Sequence, residues 1–297
     1  MAKNPQHRSV SQITTYTSCP RKYKYNYLDE NNNMTDSSAK SLGSALHKAQ
    51  EFNYRQKIKS RVDLPYEEVK DFMIEFLVNE FRNNAENETF FKVKYGKKET
   101  GEDIIKTAIG LLDKLYHEVM VKTQPLFVEL PITLEIEGQE FVMYIDLIDE
   151  DWIVRDLKTS ASRYSEDVLD KNTQLVAYSL GFRKKFGKEE GGVGLDVLVK
   201  TKDPVVQTFR GKVSDYQIGR FLNTLKQINK AIENEIFPPV DNQMTCSWCD
   251  FKEMCGEDGG LPDAYELAKK LGEIKTVEKT DNEDYRNNLL KKEIAAD

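Results

Sequence analysis

The sequence predicts an α/β (α+β) fold in which a run of strands is enclosed by helical segments. Apolar residues recur at helical spacing through much of the first 122 residues. From residue 126 the pattern changes to the alternation of apolar and polar residues that is typical of strands. A chain of 297 residues can bury a full core, so we expect one catalytic domain with insertions.

The first part of the chain is predicted to be helical. Ser9 or Ser11 suits the N-cap of a helix that ends at Ser18, and Pro20 suits the first turn of a second helix reaching Leu28. Three more helical segments are predicted around residues 42–52, 65–81 and 102–122. The polar stretches between them, residues 31–38 and 83–100, are predicted loops.

The second part alternates strands and helices. Strands are predicted at residues 127–136, 140–148, 152–158, 195–200 and 205–213. The first three follow one another through short turns, which indicates antiparallel neighbours. Helices are predicted at residues 169–186 and 214–236, the second ending before Pro238 and Pro239. A last helix is expected to begin near Ala264, within a charged tail that is predicted to be disordered.

Composition limits the classes of function. No apolar run reaches the roughly 20 residues of a membrane span, and residues 1–8 lack the apolar stretch of a secretory signal. We therefore expect a soluble, cytoplasmic protein that does not bind membranes, in the host cytoplasm if the gene is carried by a phage. The net charge of -7 argues against a uniformly basic nucleic-acid coat but leaves local basic patches open.

Two carboxylates and an amine are expected to meet on a β-hairpin. Asp156 and Lys158 are two residues apart at the end of one predicted strand and therefore share a face. Asp146 ends the apolar run of the preceding strand, and a tight turn over residues 147–151 would bring it opposite or diagonal to Asp156. Such a cluster can hold a hard divalent cation on oxygen ligands and place an ammonium beside its water, as phosphodiester hydrolysis requires.

Four cysteines occur in a pattern that favours a metal centre over disulfides. Cys19 lies near the amino end, and the other three lie close together near the carboxyl end, at Cys246, Cys249 and Cys255. Disulfides are disfavoured in a reducing cytoplasm. The spacing does not choose between zinc and an iron–sulfur cluster, because both accept four thiolates. Either would tie the two ends of the chain together.

The chain resembles the PD-(D/E)XK nuclease superfamily, in particular its RecB-like exonuclease branch with an iron–sulfur cluster, to which the CRISPR-associated RecB-like exonucleases belong. The resemblance covers most of residues 9–255, and it is the order of the motifs that makes it specific. The motifs are residues 9–20 with the first cysteine, 43–47 (GSALH), 144–146 (YID), 156–159 (DLKT), 174–178 (QLVAY) and the three later cysteines. One departure is that Ile145, rather than proline, precedes Asp146.

The resemblance implies a fold, cofactors and site residues. The fold would be a restriction-endonuclease-like core with a mixed central sheet flanked by helices. His47, Asp146, Asp156 and the Leu157 carbonyl would bind Mg²⁺ or Mn²⁺, and Lys158 would orient or deprotonate the attacking water. Gln174 and Tyr178 would face the site from their helix. The four cysteines would hold a [4Fe-4S] cluster, with zinc as the alternative.

The same resemblance predicts how the chain is divided into regions. The cluster region would comprise residues 1–30 and 237–260, and the nuclease core residues 39–60 and 125–236. Residues 61–124 would form a helical insertion or lid, and residues 261–297 a C-terminal helix with a tail.

Two further groups of residues lie near the predicted site or carry basic charge. Glu129, in the first predicted strand, could reach the metal region or Lys158, but the sequence does not fix the strand register, so Glu129 is not included in the catalytic set. A basic segment interleaved with aromatic residues could contact DNA through Arg21, Lys22 and Tyr23, with Tyr178 as a further contact. Packing in the core is the alternative for the tyrosines.

These features predict a metal-dependent exonuclease that cuts single-stranded DNA or DNA ends in repair, recombination or phage DNA processing. A structure-selective endonuclease is one alternative. Another is a DNA-binding assembly subunit that works with a helicase, a recombination protein or the CRISPR adaptation machinery. The chain has no Gly-x-x-x-x-Gly-Lys-Ser/Thr phosphate loop, so any motor of that kind would be a separate polypeptide.

Overall fold

The computed structural model of the protein describes residues 7–29, 37–86, 96, 99–240, 242–247 and 249–256. The chain forms two compact units, Met1–Phe251 and Lys252–Asp297. The helices of the first unit are α1 (Val10–Ser18), α2 (Pro20–Tyr27), α3 (Ser38–Ser60), α4 (Tyr66–Glu86), α5 (Gly101–Lys114), α6 (Thr173–Phe186), α7 (Asp215–Glu233) and α8 (Gln243–Ser247). The strands are β1 (His7–Ser9), β2 (Pro125–Ile136), β3 (Gln139–Asp149), β4 (Ile153–Ser160), β5 (Gly192–Val199) and β6 (Val205–Gly211). In the second unit, α9 spans Lys252–Cys255.

The strands form one mixed sheet in the order β1-β3-β4-β5-β6, with β2 paired to β3. β2 is antiparallel to β3 along the whole length of β3. β1, which is parallel to the start of β3, and β4, which is antiparallel to its end, therefore share the opposite edge of β3. β4 and β5 are parallel over eight residue pairs. The expected mixed α/β core with flanking helices is confirmed.

Helices cover both faces of the sheet. One core joins the sheet to α1, α6 and α7, and includes Val154 of β4. A second core lies between the sheet and α3, α4 and α5, and includes Leu157 of the same strand. This alternation along β4 follows from the period of two in a strand, because neighbouring side chains point to opposite faces.

Local sequence signals set most helix ends. Ser9 caps α1, since its side-chain oxygen accepts from the backbone N–H of Gln12 at 3.3 Å. Thr100 and Ser214 begin α5 and α7 with capping boxes. Gly187 ends α6 with a φ of 65°, a left-handed conformation that glycine adopts without steric cost.

Several boundaries differ from the sequence expectation. The helix predicted at residues 169–186 is broken: a 3-10 turn occupies Glu166–Lys171, and Asn172 then caps α6 by accepting from the backbone N–H of Leu175 at 2.9 Å. An asparagine favours a cap over a helix interior, which explains the break. The short strand β1 was not predicted. The last helix, expected near Ala264, and most of the predicted loop at residues 31–38 lie outside the described residues.

Within the described ranges, no helix combines the length and apolar character needed to cross a membrane.

At Gly191 the backbone passes so close to the β3–β4 turn that there is no room for a side chain. A Cβ at this residue would lie 2.0 Å from the carbonyl oxygen of Asp151, and its N–H donates to the Trp152 carbonyl at 2.9 Å. We expect Gly191→Ala to lower the free energy of unfolding by about 1–3 kcal/mol through this overlap. Gly219→Ala in α7 has open space and should instead raise it by about 0.5–1 kcal/mol. Denaturant unfolding of both variants measures the difference, and a neutral Gly191→Ala would contradict the steric argument.

Candidate active site

The turn between β3 and β4 is held by the side chain of Asp149. Its Oδ1 accepts from the backbone N–H groups of Asp151, at 3.1 Å, and Ile153, at 3.0 Å. β3 therefore continues through Asp149, and the turn is shorter than the predicted span of residues 147–151. Trp152 has a φ of 61° as the chain re-enters β4.

β3 and β4 pair over only two positions before they separate. The paired residues are Leu147 with Arg155 and Ile148 with Val154. The next pair in this register would be Asp146 and Asp156, so these two aspartates lie where the strands begin to diverge. The hairpin thus brings the two carboxylates into the relation that the sequence predicts.

A chain of hydrogen bonds connects these two aspartates through Lys158 and helix α6. Lys158 Nζ donates to Asp156 Oδ1 at 2.9 Å and to Gln174 Oε1 at 2.7 Å. Gln174 Nε2 donates to the Tyr178 hydroxyl at 2.6 Å, and that hydroxyl donates to Asp146 Oδ1 at 2.8 Å. Gln174 and Tyr178 are one helical turn apart, so both side chains reach the same place. Their position beside Lys158 matches the sequence expectation.

His47 approaches the aspartates from α3 on the other side of the sheet. Its Nε2 lies 2.8 Å from the Leu157 carbonyl oxygen, and its Nδ1 lies 3.5 Å from Asp146 Oδ2. A carbonyl can only accept, so Nε2 carries the proton, and in the neutral imidazole Nδ1 presents a lone pair towards Asp146. One turn earlier, α3 lies close to β4 at Gly43, where an added Cβ would be in ordinary contact with Thr159 Oγ1 at 3.4 Å.

One oxygen of each aspartate lacks a donor. Asp146 Oδ2 and Asp156 Oδ2 are buried and have no hydrogen-bond partner, and the Asp156 side chain is 0% exposed. Burial, followed by the nearby charge of Asp146, raises the pKa of Asp156 well above its ordinary value. Leaving a buried acceptor unpaired costs on the order of 1–3 kcal/mol. A cation between these oxygens would remove that cost.

Lys158 and Tyr178 are kept protonated by their surroundings. Burial lowers the pKa of Lys158, but the charges of Asp156 and Asp146 outweigh that effect and hold it above its ordinary value. Burial and the same two carboxylates raise the pKa of the Tyr178 hydroxyl. Lys158 is therefore an ammonium that donates to Asp156 and Gln174.

The side chains at this place carry the oxygen and nitrogen atoms that divalent cations bind. Asp146 and Asp156 offer unpaired carboxylate oxygens, and His47 offers a ring nitrogen. Among the described residues, no group of three or more His, Cys, Asp or Glu side chains already has the arrangement of a metal site. The donors are therefore adjacent without being gathered around one point.

Glu129 lies beside the same cleft. It lines a cavity of about 440 Å³ together with His47, Lys48, Leu157 and Lys158. Burial, then the charge of Asp146, raises the pKa of Glu129 to about 7. Glu129 is not among the residues that the sequence predicts for the site, because the strand pattern does not reveal the register of β2.

The four cysteines are described one by one, and none belongs to a metal-site arrangement among the described residues. Cys19 is buried at the junction of α1 and α2, while Cys246 and Cys249 are half-buried in or near α8. Cys246 Sγ lies 3.3 Å from the Val240 carbonyl oxygen. Cys255 belongs to the second unit. In the part of the chain that the structure describes, none of these cysteines forms a disulfide.

The basic aromatic segment of α2 is mostly structural. Tyr23 is 0% exposed and packs against Tyr16 and Phe237, so the core-packing alternative holds for its ring and no face is left for a base. Arg21 donates from Nε to the Phe237 carbonyl at 2.9 Å, which ties α2 to the segment after α7. Lys22 is half-buried.

Comparison with known proteins supports the class that this site suggests. A model of the PD-(D/E)XK nuclease superfamily matches residues 7–256. The structure of a putative exonuclease from Eubacterium rectale is similar, with 14% identity and a TM-score of 0.55, and covers 86% of this chain and 94% of that chain. The structure of SSO0001 has 12% identity and a TM-score of only 0.30, and covers 83% of this chain and 95% of that chain. No curated protein matches the chain in sequence.

The mixed sheet with flanking helices matches the restriction-endonuclease-like fold of the PD-(D/E)XK nucleases. The chain belongs to the PD-(D/E)XK nuclease superfamily, because the family model spans well over half of it. Nucleases of this superfamily typically use Mg²⁺ or Mn²⁺.

The raised pKa values predict how stability depends on pH in the presence of a chelator. The folded state keeps the Glu129 proton up to about pH 7, whereas the unfolded chain loses it near 4.5. The folded state therefore binds more protons in this window, and stability falls as pH rises through it. Asp156 acts in the same direction from 3.8 upward. Melting temperatures should fall less steeply for Glu129→Gln than for the natural protein, while Glu135→Gln, an exposed acid on the same strand, should not change the slope. Equal slopes for Glu129→Gln and the natural protein would refute the prediction.

Proposed function

We propose that this protein is a divalent-metal-dependent DNA exonuclease that hydrolyses phosphodiester bonds in single-stranded DNA or at DNA ends. The observation that carries the proposal is the pair of unpartnered carboxylate oxygens on Asp146 and Asp156 beside the ammonium of Lys158. Superfamily membership supports DNA as the substrate. The name of the similar structure, a putative exonuclease, is consistent with action at ends.

Asp146, Asp156, His47 and the Leu157 carbonyl would hold Mg²⁺ or Mn²⁺. The cation would neutralise charge on the scissile phosphate and acidify a bound water. Lys158 remains an ammonium, so it would donate to the attacking water or to the phosphate and stabilise the negative charge that develops there. Gln174 fixes the position of the ammonium, because its Oε1 accepts from Nζ at 2.7 Å.

Tyr178 has a positioning role in this mechanism. Its hydroxyl donates to Asp146 Oδ1 and accepts from Gln174 Nε2, so it presents the other oxygen of Asp146, Oδ2, to the cation. Because its pKa is raised, the hydroxyl stays a donor at neutral pH.

Cleavage of labelled DNA tests the site. We expect Asp156→Asn and Lys158→Ala to reduce the rate of Mg²⁺-dependent or Mn²⁺-dependent cleavage by about 10²–10³-fold, the usual loss when a group that stabilises transition-state charge is removed. Lys202→Ala, at an exposed lysine of the β5–β6 turn, is the matched control and should cleave normally. Undiminished cleavage by both site variants would refute the assigned site.

The choice of substrate in the same assay separates the alternatives. An exonuclease degrades linear single strands and leaves a circular single strand intact, whereas a structure-selective endonuclease also opens the circle. Stable DNA binding with no cleavage by the natural protein would instead favour a DNA-binding assembly subunit. Roles in repair, recombination or phage DNA processing, and a helicase, recombination or CRISPR-adaptation partner, are consistent with an end-dependent nuclease.

We also propose that Cys19, Cys246, Cys249 and Cys255 hold a [4Fe-4S] cluster, as in the RecB-like branch that the sequence resembles. The support is the number and spacing of the thiols and the absence of disulfides among them. Zinc is the alternative ligand for four thiolates.

Absorption spectroscopy of anaerobically purified protein tests the cluster. For an iron–sulfur cluster bound by thiolates, we expect a broad shoulder in the absorption spectrum at about 400 nm, and Cys249→Ser should lose it. A colourless protein containing one equivalent of zinc would identify the other metal. A colourless, metal-free protein would refute the centre.

A further inference from the structure

Glu129 lies across β3 from the proposed cation site. In the β2–β3 ladder, Val128 pairs with Leu147 and Leu130 pairs with Ile145, so Glu129 falls opposite Asp146. β4, which carries Asp156, lies on the other edge of β3 at this point. Asp146 is therefore flanked by one acid from each neighbouring strand.

The backbone of Glu129 is strained at this position. Its φ is 50° in the middle of a strand, a value that side chains other than glycine rarely adopt. The ladder skips this residue, since pairs are formed on both sides of it but not at it. The surrounding strand pairs hold a glutamate in a conformation that glycine would adopt more readily, so packing alone does not explain the residue.

The carboxylate of Glu129 faces the cleft without a cation of its own. It lines the same cavity as His47 and Lys158 and, in the described part of the chain, forms no hydrogen bond or ion pair. A nearby acid behaves differently: Glu51 on α3 is neutralised by Lys48 at 2.6 Å and by Arg55 Nε at 2.7 Å. Lys48 and Arg55 form direct ion pairs with Glu51 and act on Glu129 only at longer range, so among the described residues Glu129 has no ion-pair partner beside Asp146.

A separate observation points to a ligand at this place. Asp156 Oδ2 is fully buried, lacks any donor and lies in a side chain with 0% exposure. Like-charged groups held together in this way are stable only when a cation or protons compensate them. From these contacts we infer that Glu129 is a third carboxylate of the divalent-cation site, binding the metal together with Asp146. This inference rests on the proposed metal-dependent function and adds a ligand that neither the sequence motifs nor the superfamily assignment specifies.

Manganese binding by the full chain tests the inference independently of cleavage. In calorimetric titrations with MnCl₂, Glu129→Gln should weaken the affinity by about tenfold or more, the lower range seen when a group that supports a metal site is removed. Glu135→Gln removes the same charge from an exposed position on the same strand and should bind Mn²⁺ as the natural protein does. The rise in melting temperature on adding Mn²⁺ should shrink in parallel in the Glu129 variant.

A structural role gives a different result. If Glu129 served only to hold β2 in place, Glu129→Gln would lower the melting temperature in chelator and leave Mn²⁺ affinity unchanged, and that outcome overturns the inference. Glu129→Gly relieves the strained φ and also lacks the carboxylate, so it should match the weak affinity of Glu129→Gln while melting no lower than the natural protein in chelator. Unchanged affinity in both Glu129 variants, with affinity lost in Asp156→Asn, would refute the third ligand and leave the proposed function standing. Absence of Mn²⁺ binding to the natural protein would refute both.

Discussion

The site depends on the concentration of negative charge where β3 and β4 separate. Two strand pairs fix the register, and divergence then leaves Asp146 and Asp156 adjacent, each with an oxygen that receives no donor. Two unit charges 4 Å apart repel by roughly 4 kcal/mol at an effective dielectric constant of 20. Lys158 of β4 donates a hydrogen bond to Asp156, and Tyr178 of α6 donates one to Asp146. Gln174 joins these two donors, because it accepts from Lys158 and donates to Tyr178.

β4 can carry this charge because the opposite face of the strand anchors it. Arg155, between the hairpin and Asp156, donates to Asp196 at 2.7 Å and to Thr123 at 2.8 Å on the α3–α5 side of the sheet. Eight parallel pairs with β5 hold the rest of the strand. The contacts of Arg155 lie on the face of β4 opposite to Asp156 and Lys158, because neighbouring side chains of a strand point to opposite faces.

Local periodicity allowed most of this arrangement to be predicted, and tertiary context explains the rest. Asp156 and Lys158 share a face by the strand period, and Gln174 and Tyr178 by the helix period, so their meeting could be expected from sequence. The break before α6, by contrast, depends on a competition between capping and helix continuation at Asn172. Burial of Tyr23 depends on Phe237, more than 200 residues away, and no local pattern reports that contact. The register of β2, and with it the position of Glu129, is likewise a long-range property.

The charge balance of the site also explains why its lysine is better suited to donating than to accepting a proton. In the proposed mechanism a phosphodiester, itself an anion, must approach two or three carboxylates, and the ammonium of Lys158 offsets only one of those charges. A divalent cation would bring the net charge of the site near zero. The site would then no longer repel the negatively charged substrate. The charges of Asp156 and Asp146 raise the pKa of Lys158, and its ammonium donates to Asp156 at 2.9 Å. Its ammonium is therefore available at the moment when negative charge develops on the phosphate.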